Sequence, residues 1–150
     1  LVIRILEEGH DVVSCLKECI LQPQSEPDKV RAFLLQEGFF FIEEDMVEED
    51  GKYYPMFRCV PCADNSAWDN MDETTVTVCD LYGPVLIKNG NPVLRKFLVR
   101  EHHKLAAIMQ QLRTQEMSDS IMDRIEQINE MMAYNEAAYS TMGAIRNAGI

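Results

Sequence analysis

Phe39-Phe40-Phe41-Ile42-Glu43-Glu44-Asp45-Met46-Val47-Glu48-Glu49-Asp50-Gly51-Lys52-Tyr53-Tyr54-Pro55-Met56-Phe57-Arg58-Cys59-Val60 is the stretch that decides how this chain folds. Residues 39–47 are aromatic and branched, the composition of a strand. Glu48-Glu49-Asp50-Gly51 supplies an Asp-Gly pair, the commonest chemistry for a tight hairpin turn, and Lys52 to Val60 returns as the partner strand. Upstream, Cys19-Ile20-Leu21 is a short apolar run that fits a buried parallel strand. It stops at Gln22-Pro23, because proline cannot donate to a ladder. Ser25-Glu26-Pro27-Asp28 opens a helix, with Ser25 as N-cap, Pro27 in the first turn and Asp28 at the positive end. Val30, Phe33 and Leu34 give it one apolar face, and Gly38 is placed to cap its C-terminus. From Leu1 to Glu18 the apolar spacing is again helical, interrupted near Gly9-His10-Asp11. Helix, strand, helix and strand hairpin in that order define an α/β chain.

Beyond the hairpin the character changes. Residues 62–78 are polar, acidic and poor in core side chains, which reads as a surface insertion; Thr74 to Val78 within it suits a short strand. Asn89-Gly90-Asn91-Pro92 is a turn, and Pro92 suits the first position of a helix. From Val93 to Leu112, Leu94, Leu98, Leu105, Ile108 and Leu112 keep a helical spacing broken once, at Glu101. After a short link, Ile121, Ile125, Ile128 and Met132 repeat it, and a tail from Ala133 frays towards Asn147-Ala148-Gly149. Two such helices make an antiparallel, coiled-coil-like hairpin. The expected division is residues 1–82 as an α/β part and 83–150 as a helical hairpin.

The chain has 150 residues, 47% hydrophobic and 26% charged, enough for one domain with a sizeable core. It holds no apolar run long enough for a transmembrane helix, and membranes are not expected among its partners. Its five cysteines lack the regular spacing of a disulfide framework, which favours a reducing, cytoplasmic compartment. Cys59-x-x-Cys62 supplies only two of the four ligands of a structural zinc, and Cys15 and Cys19 belong to a core helix and strand, so no metal site is expected. Glu43-Glu44-Asp45 and Glu48-Glu49-Asp50 are read as charges guarding an exposed strand edge, with acid–base work as the alternative.

A net charge of −11 argues against nucleic acid until its distribution is read. Residues 1–84 carry six basic and eighteen acidic side chains, whereas residues 85–114 carry Lys88, Arg95, Lys96, Arg100, Lys104 and Arg113 against Glu101 alone, a local +5. Lys96, Arg100 and Lys104 fall four apart and share one helix face. Such a stripe can track phosphates. It can equally pair with acidic residues of the second helix: Glu116, Asp119, Asp123, Glu126 and Glu130.

Leu21-Gln22-Pro23, Val30-Arg31-Ala32-Phe33-Leu34 closing in Gly38-Phe39, Glu49-Asp50-Gly51-Lys52-Tyr53-Tyr54 and Tyr82-Gly83-Pro84 resemble, in order and spacing, the bacterial tRNA (adenine-22-N1)-methyltransferases. The resemblance runs from Leu1 to about Leu112. It implies the second half of a Rossmann-like class I methyltransferase domain followed by a helical hairpin. It also implies methyl transfer from S-adenosylmethionine to N1 of an adenine in tRNA, with the base unpaired or flipped out. The chain starts at Leu1 inside what reads as a helix. The Gly-rich turn and ribose-binding carboxylate of the donor site are expected upstream, which leaves the catalytic residues unassigned and an isolated chain inactive. Gln22 and Pro23, directly after a strand, are the candidate substrate pocket, although a glutamine amide can also merely cap a loop. Lys88, Arg95, Lys96, Arg100 and Lys104 are the candidate tRNA-binding residues. A strand edge left unpaired where central strands belong is a route to self-association. The alternative is a non-enzymatic hairpin module that binds RNA or a partner helix.

Overall fold

A computed structural model describes residues 2–9, 13, 15–61 and 71–147, with side chains as far as Met142. Among these, α1 (Val2–Glu8), β1 (Cys19–Leu21), α2 (Pro27–Gln36), β2 (Phe39–Glu49), β3 (Lys52–Pro61), α3 (Glu73–Tyr82), α4 (Pro84–Lys88), α5 (Pro92–Arg113) and α6 (Asp119–Asn147) follow in sequence. The helix break at His10-Asp11 and the acidic residues 62–70, Cys62 included, lie outside the described residues.

The hairpin forms where its composition places it. Asp50 and Gly51 both take positive φ, 49° and 72°, the geometry that turns a tight hairpin with the twist of its strands. The strand order is β1-β3-β2, so the last of the described strands lies in the middle. β1 therefore pairs antiparallel with β3, Cys19 opposite Cys59 and Leu21 opposite Phe57, and is not the buried parallel strand expected from its apolar run. Hydrophobicity reports burial and not direction, and here Ile20 is 71% exposed. Between β2 and β3 the register slips between Phe41 and Glu43, so Ile42 is an extra residue. The alternation of faces changes phase at that bulge. Phe39 and Phe41 point inward before it, Glu44 and Met46 after it.

Three other local expectations change. Thr74–Val78 is not a strand; it lies inside α3. The Asp72 carboxylate accepts the Thr75 backbone N–H at 3.0 Å, an N-cap that outweighs the strand preference of Thr and Val. Ser25 is not the N-cap of α2, since Glu26 holds that position with φ 49° and makes no side-chain cap bond. Pro27 fixes the first turn instead. Cys15 is exposed rather than part of a core helix. Gly38, by contrast, takes φ 81° just past α2 and donates its N–H to Leu35, as a C-terminal glycine should. The tail from Ala133 continues α6 to Asn147, and Ala148 and Gly149, towards which it was expected to fray, lie outside the described residues.

Burial divides into three connected groups. Leu6, Val30, Leu34, Phe39, Phe41, Phe57 and Cys59 fill the space between α1, α2 and the sheet. Met46, Val78, Tyr82, Leu86, Leu94, Leu98, Ala138 and Met142 join the far end of β2 to the helices. Leu105, Met109, Leu112 and Ile128 seal α5 against α6. At about 1.5–3 kcal/mol for each large side chain fully buried, the second group fixes how the helix pair sits on the sheet.

Candidate nucleic-acid interface

Beneath the helix pair lies a buried ionic joint that ties three elements together. The Arg31 guanidinium of α2 donates through Nε to Glu44 Oε1 of β2 at 2.8 Å, and both side chains are almost fully buried. Arg31 Nη1 also donates to the carbonyls of Asp80 and Leu81, at 3.0 and 3.3 Å. Glu44 Oε2 accepts the backbone N–H groups of Val85 and Leu86, at 2.8 and 3.4 Å, where α4 begins. A buried pair of charges holds only when such bonds satisfy its remaining lone pairs and protons. Gly83 sits against it with φ 88°. A Cβ there would lie 2.7 Å from both Glu44 carboxylate oxygens and 3.0 Å from Arg31 Nη2. Arg31 and Gly83 are thus structural members of the sequence motifs, and Glu44 is their missing partner.

A second polar joint explains the break at Glu101. The Tyr82 hydroxyl donates to Glu101 Oε2 at 2.7 Å, and Asn135 Nδ2 donates to the same oxygen and to the Leu98 carbonyl, each at 3.0 Å. Burial, then the Glu101 carboxylate, pushes the Tyr82 phenol up from its ordinary range. One carboxylate thereby links α3, α5 and α6.

The basic stripe is only partly a converging site. Arg95, Lys96 and Arg100 line one open cavity of about 500 Å³ together with Val99, His103 and Tyr139. Arg95 lies over the Tyr139 ring at 5.2 Å, and Arg100 over the Tyr53 ring at 5.6 Å. Arg100 also donates to the Gly51 carbonyl, and Lys96 meets Glu48 at 3.6 Å. Lys88 and Lys104 are exposed but lie outside that cavity. Among the described residues the one ion pair of the stripe, Lys96–Glu48, and the Arg100 hydrogen bond to Gly51 therefore run to the β2–β3 hairpin, not to the acidic residues of α6. Chain direction gives the reason. Leu98 faces Asn135, while Leu105 to Leu112 pack with Ile121, Ile125 and Ile128. The acidic start of α6 lies against the far end of α5.

Gln22 and Pro23 line a separate cleft of about 220 Å³ with Val2, Ile3, Gln24, Ser25, Glu26 and Val30. Pro23 is buried and Gln22 exposed. Among the described residues the Gln22 side chain has no hydrogen-bond partner, while Gln24 Nε2 reaches the Gln22 carbonyl, at 3.5 Å. Of the cysteines, Cys19 and Cys59 face each other as buried free thiols. Burial, then Cys19, pushes Cys59 up to about 12, far from a nucleophilic thiolate at neutral pH. Among the described residues no three His, Cys, Asp or Glu side chains gather in a metal-binding arrangement, and no helix is long and apolar enough to cross a membrane.

The fold is similar to that of a solved Streptococcus agalactiae protein described as belonging to the NADB-Rossmann superfamily, which aligns over 92% of this chain and 54% of its own at a TM-score of 0.73 and 18% identity. The chain belongs to the tRNA (adenine(22)-N(1))-methyltransferase family, whose sequence profile matches residues 1–136. It is 27% identical over 139 residues to the tRNA (adenine(22)-N(1))-methyltransferase of Bacillus subtilis (strain 168), covering 88% of this chain and 57% of that protein. The crystal structure of the B. subtilis M1A22 tRNA methyltransferase aligns at TM-score 0.77 and 25% identity, over 92% of this chain and 58% of that one. A Streptococcus pneumoniae protein solved in complex with S-adenosyl-L-methionine aligns at TM-score 0.59 and 27% identity, over 86% and 53%. The chain thus spans little more than half the length of these relatives.

Proposed function

We propose that this chain is part of an S-adenosylmethionine-dependent enzyme that methylates N1 of an adenine in tRNA, and that it carries the tRNA-binding helix pair. The observation behind this reading is the convergence of Arg95, Lys96 and Arg100 on one open face of a chain whose net charge is −11, in a member of a tRNA-methylating family. Phosphate contacts need such a local excess of cations whatever the overall charge. In this reading α5 and α6 form the coiled-coil-like hairpin of residues 83–150, fixed to the α/β part of residues 1–82 by the packing of Met46, Val78 and Tyr82 on Leu86, Leu94 and Met142. Lys88 and Lys104 extend the phosphate track beyond the cavity. Gln22, exposed and without a side-chain partner among the described residues, and Pro23 form one wall of the pocket for the substrate base. The methyl donor is bound by the complete enzyme, in the cytoplasm. In the complete enzyme central strands cover the outer edge of β1; in this 150-residue chain by itself that edge is the route to self-association.

The test is charge reversal. Lys96→Glu, Arg100→Glu and Lys104→Glu together abolish tRNA binding by the full-length protein. They also flatten the dependence of affinity on salt, because each lost phosphate contact removes counterion release. Unchanged affinity across a salt series rejects the interface.

A further inference from the structure

We propose that the groove between α5 and α6 receives an unstacked nucleobase of the bound RNA, with Tyr139 as its stacking platform. The proposal rests on the RNA-binding reading of α5 above and adds a base-specific subsite to it.

Two adjoining cavities, of about 500 and 450 Å³, share Val99, His103 and Tyr139. Their linings divide by chemistry. The first holds the cations Arg95, Lys96 and Arg100. The second holds no Lys or Arg and is walled by Leu98, His102, Asn135, Glu136 and Ser140. Tyr139 and Val99 stand where the two meet, and both are largely open to solvent, at 40% and 41% exposure. An exposed aromatic ring with a guanidinium already over it is the arrangement on which bases stack, since every base offers a π-face and the cation strengthens the stack. A nucleotide has the same division: a flat apolar base beside a charged phosphate. With phosphates on the first cavity, the attached base falls at the second. There Glu136 and Ser140 can accept from an exocyclic amino group. A partner helix fits less well, because it needs a row of apolar anchors and, among the described residues of the groove, Val99 and Tyr139 are the large exposed apolar side chains.

The experiment measures binding of an unmodified tRNA transcript, a single-stranded oligoadenylate and a blunt RNA duplex to the full-length protein across a salt series. The variants are Tyr139→Ala, Tyr139→Phe and the pair Lys96→Glu/Arg100→Glu. Tyr139→Ala should weaken binding of tRNA and oligoadenylate about tenfold at an unchanged salt slope, since stacking releases no counterions. Tyr139→Phe should bind like the parent. The duplex, which has no free base, should be indifferent to both. The charge-reversal pair should lower both affinity and slope. If Tyr139→Ala binds tRNA like the parent while the charge-reversal pair fails, the base subsite is overturned and the RNA interface stands. If Tyr139→Ala flattens the salt slope, its effect passes through Arg95 and the subsite is again overturned. If neither set of changes matters, both readings fall and the groove is left to a protein partner.

Discussion

Glu44, Glu43 and Asp45 are three acidic neighbours that the sequence cannot tell apart, yet one is buried and two are not. Glu44 is the one that meets Arg31, and that pairing makes the joint between α2, β2 and α4. Removing one partner from such a buried pair costs about 3–5 kcal/mol, because the other charge is left stranded. Asp80 is the weak point of the same region. Its Oδ1 and the Nη2 of Arg31 are buried and have no hydrogen-bond partner among the described residues. Burial pushes the Asp80 carboxyl up to about 6, against the pull of Arg31. A carboxyl whose folded pKa lies above its unfolded one holds its proton longer when folded. Its stabilising contribution is complete below about 3.8 and is lost as pH rises through about 6. Asp80→Asn should therefore be more stable than the parent at pH 8, by about 1 kcal/mol once solvent screening of this half-buried group is discounted. That advantage should vanish in urea melts at pH 4; an equal gain at both pH values would contradict the assignment.

At the scale of elements, the bulge at Ile42 and the turn at Gly83 do the work that composition does not reveal. An unbroken strand would continue the inward parity of Phe39 and Phe41 to Glu43 and Asp45; the extra residue hands that place to Glu44. Gly83 then lets α3 end and α4 begin within reach of its carboxylate. Gly83→Ala combines a positive φ with a Cβ forced against both carboxylate oxygens, and is expected to destabilise the chain by about 2–4 kcal/mol. The denaturation midpoint measures it, and a loss under 1 kcal/mol would mean that the joint yields. The glycine itself was legible in Tyr82-Gly83-Pro84, but its reason was not, because the clashing atoms lie about forty positions away in the chain. The strand expected at Thr74–Val78 failed for a local reason. β-Branched residues favour strands only weakly, and an aspartate N-cap contributes about 1 kcal/mol to a helix.

For the whole molecule, the antiparallel run of α5 and α6 separates charges that a sequence reading could pair. It leaves Arg95, Lys96 and Arg100 beside the β2–β3 turn and Tyr139, and it carries Asp123, Glu126 and Glu130 along α6 to a different cleft. The helix pair and the basic segment were readable from spacing and charge. Tyr139 and the histidines were not, because Arg95 and Tyr139 come together only when the hairpin closes. Among the described residues β1 also presents an unpaired outer edge with Ile20 largely exposed. In sedimentation this 150-residue chain should associate as concentration rises. Ile20→Lys, a charge of the kind that blocks edge pairing, should return it to a monomer. A monomer at all concentrations would remove the edge as an interface.

The sequence by itself determined the α/β class, the Asp-Gly hairpin, the glycine after α2, the two long helices and the placement of positive charge on α5. Each of these follows from residues within a few positions of one another, through periodicity, turn chemistry or composition. Tertiary structure decided the direction of β1, the choice of Glu44 over its neighbours, the capture of Glu101 by Tyr82 and Asn135, and the groove beside Tyr139. Those depend on pairs of residues about thirteen to forty-five positions apart. Their energies exist only once burial has removed the water that would otherwise satisfy them.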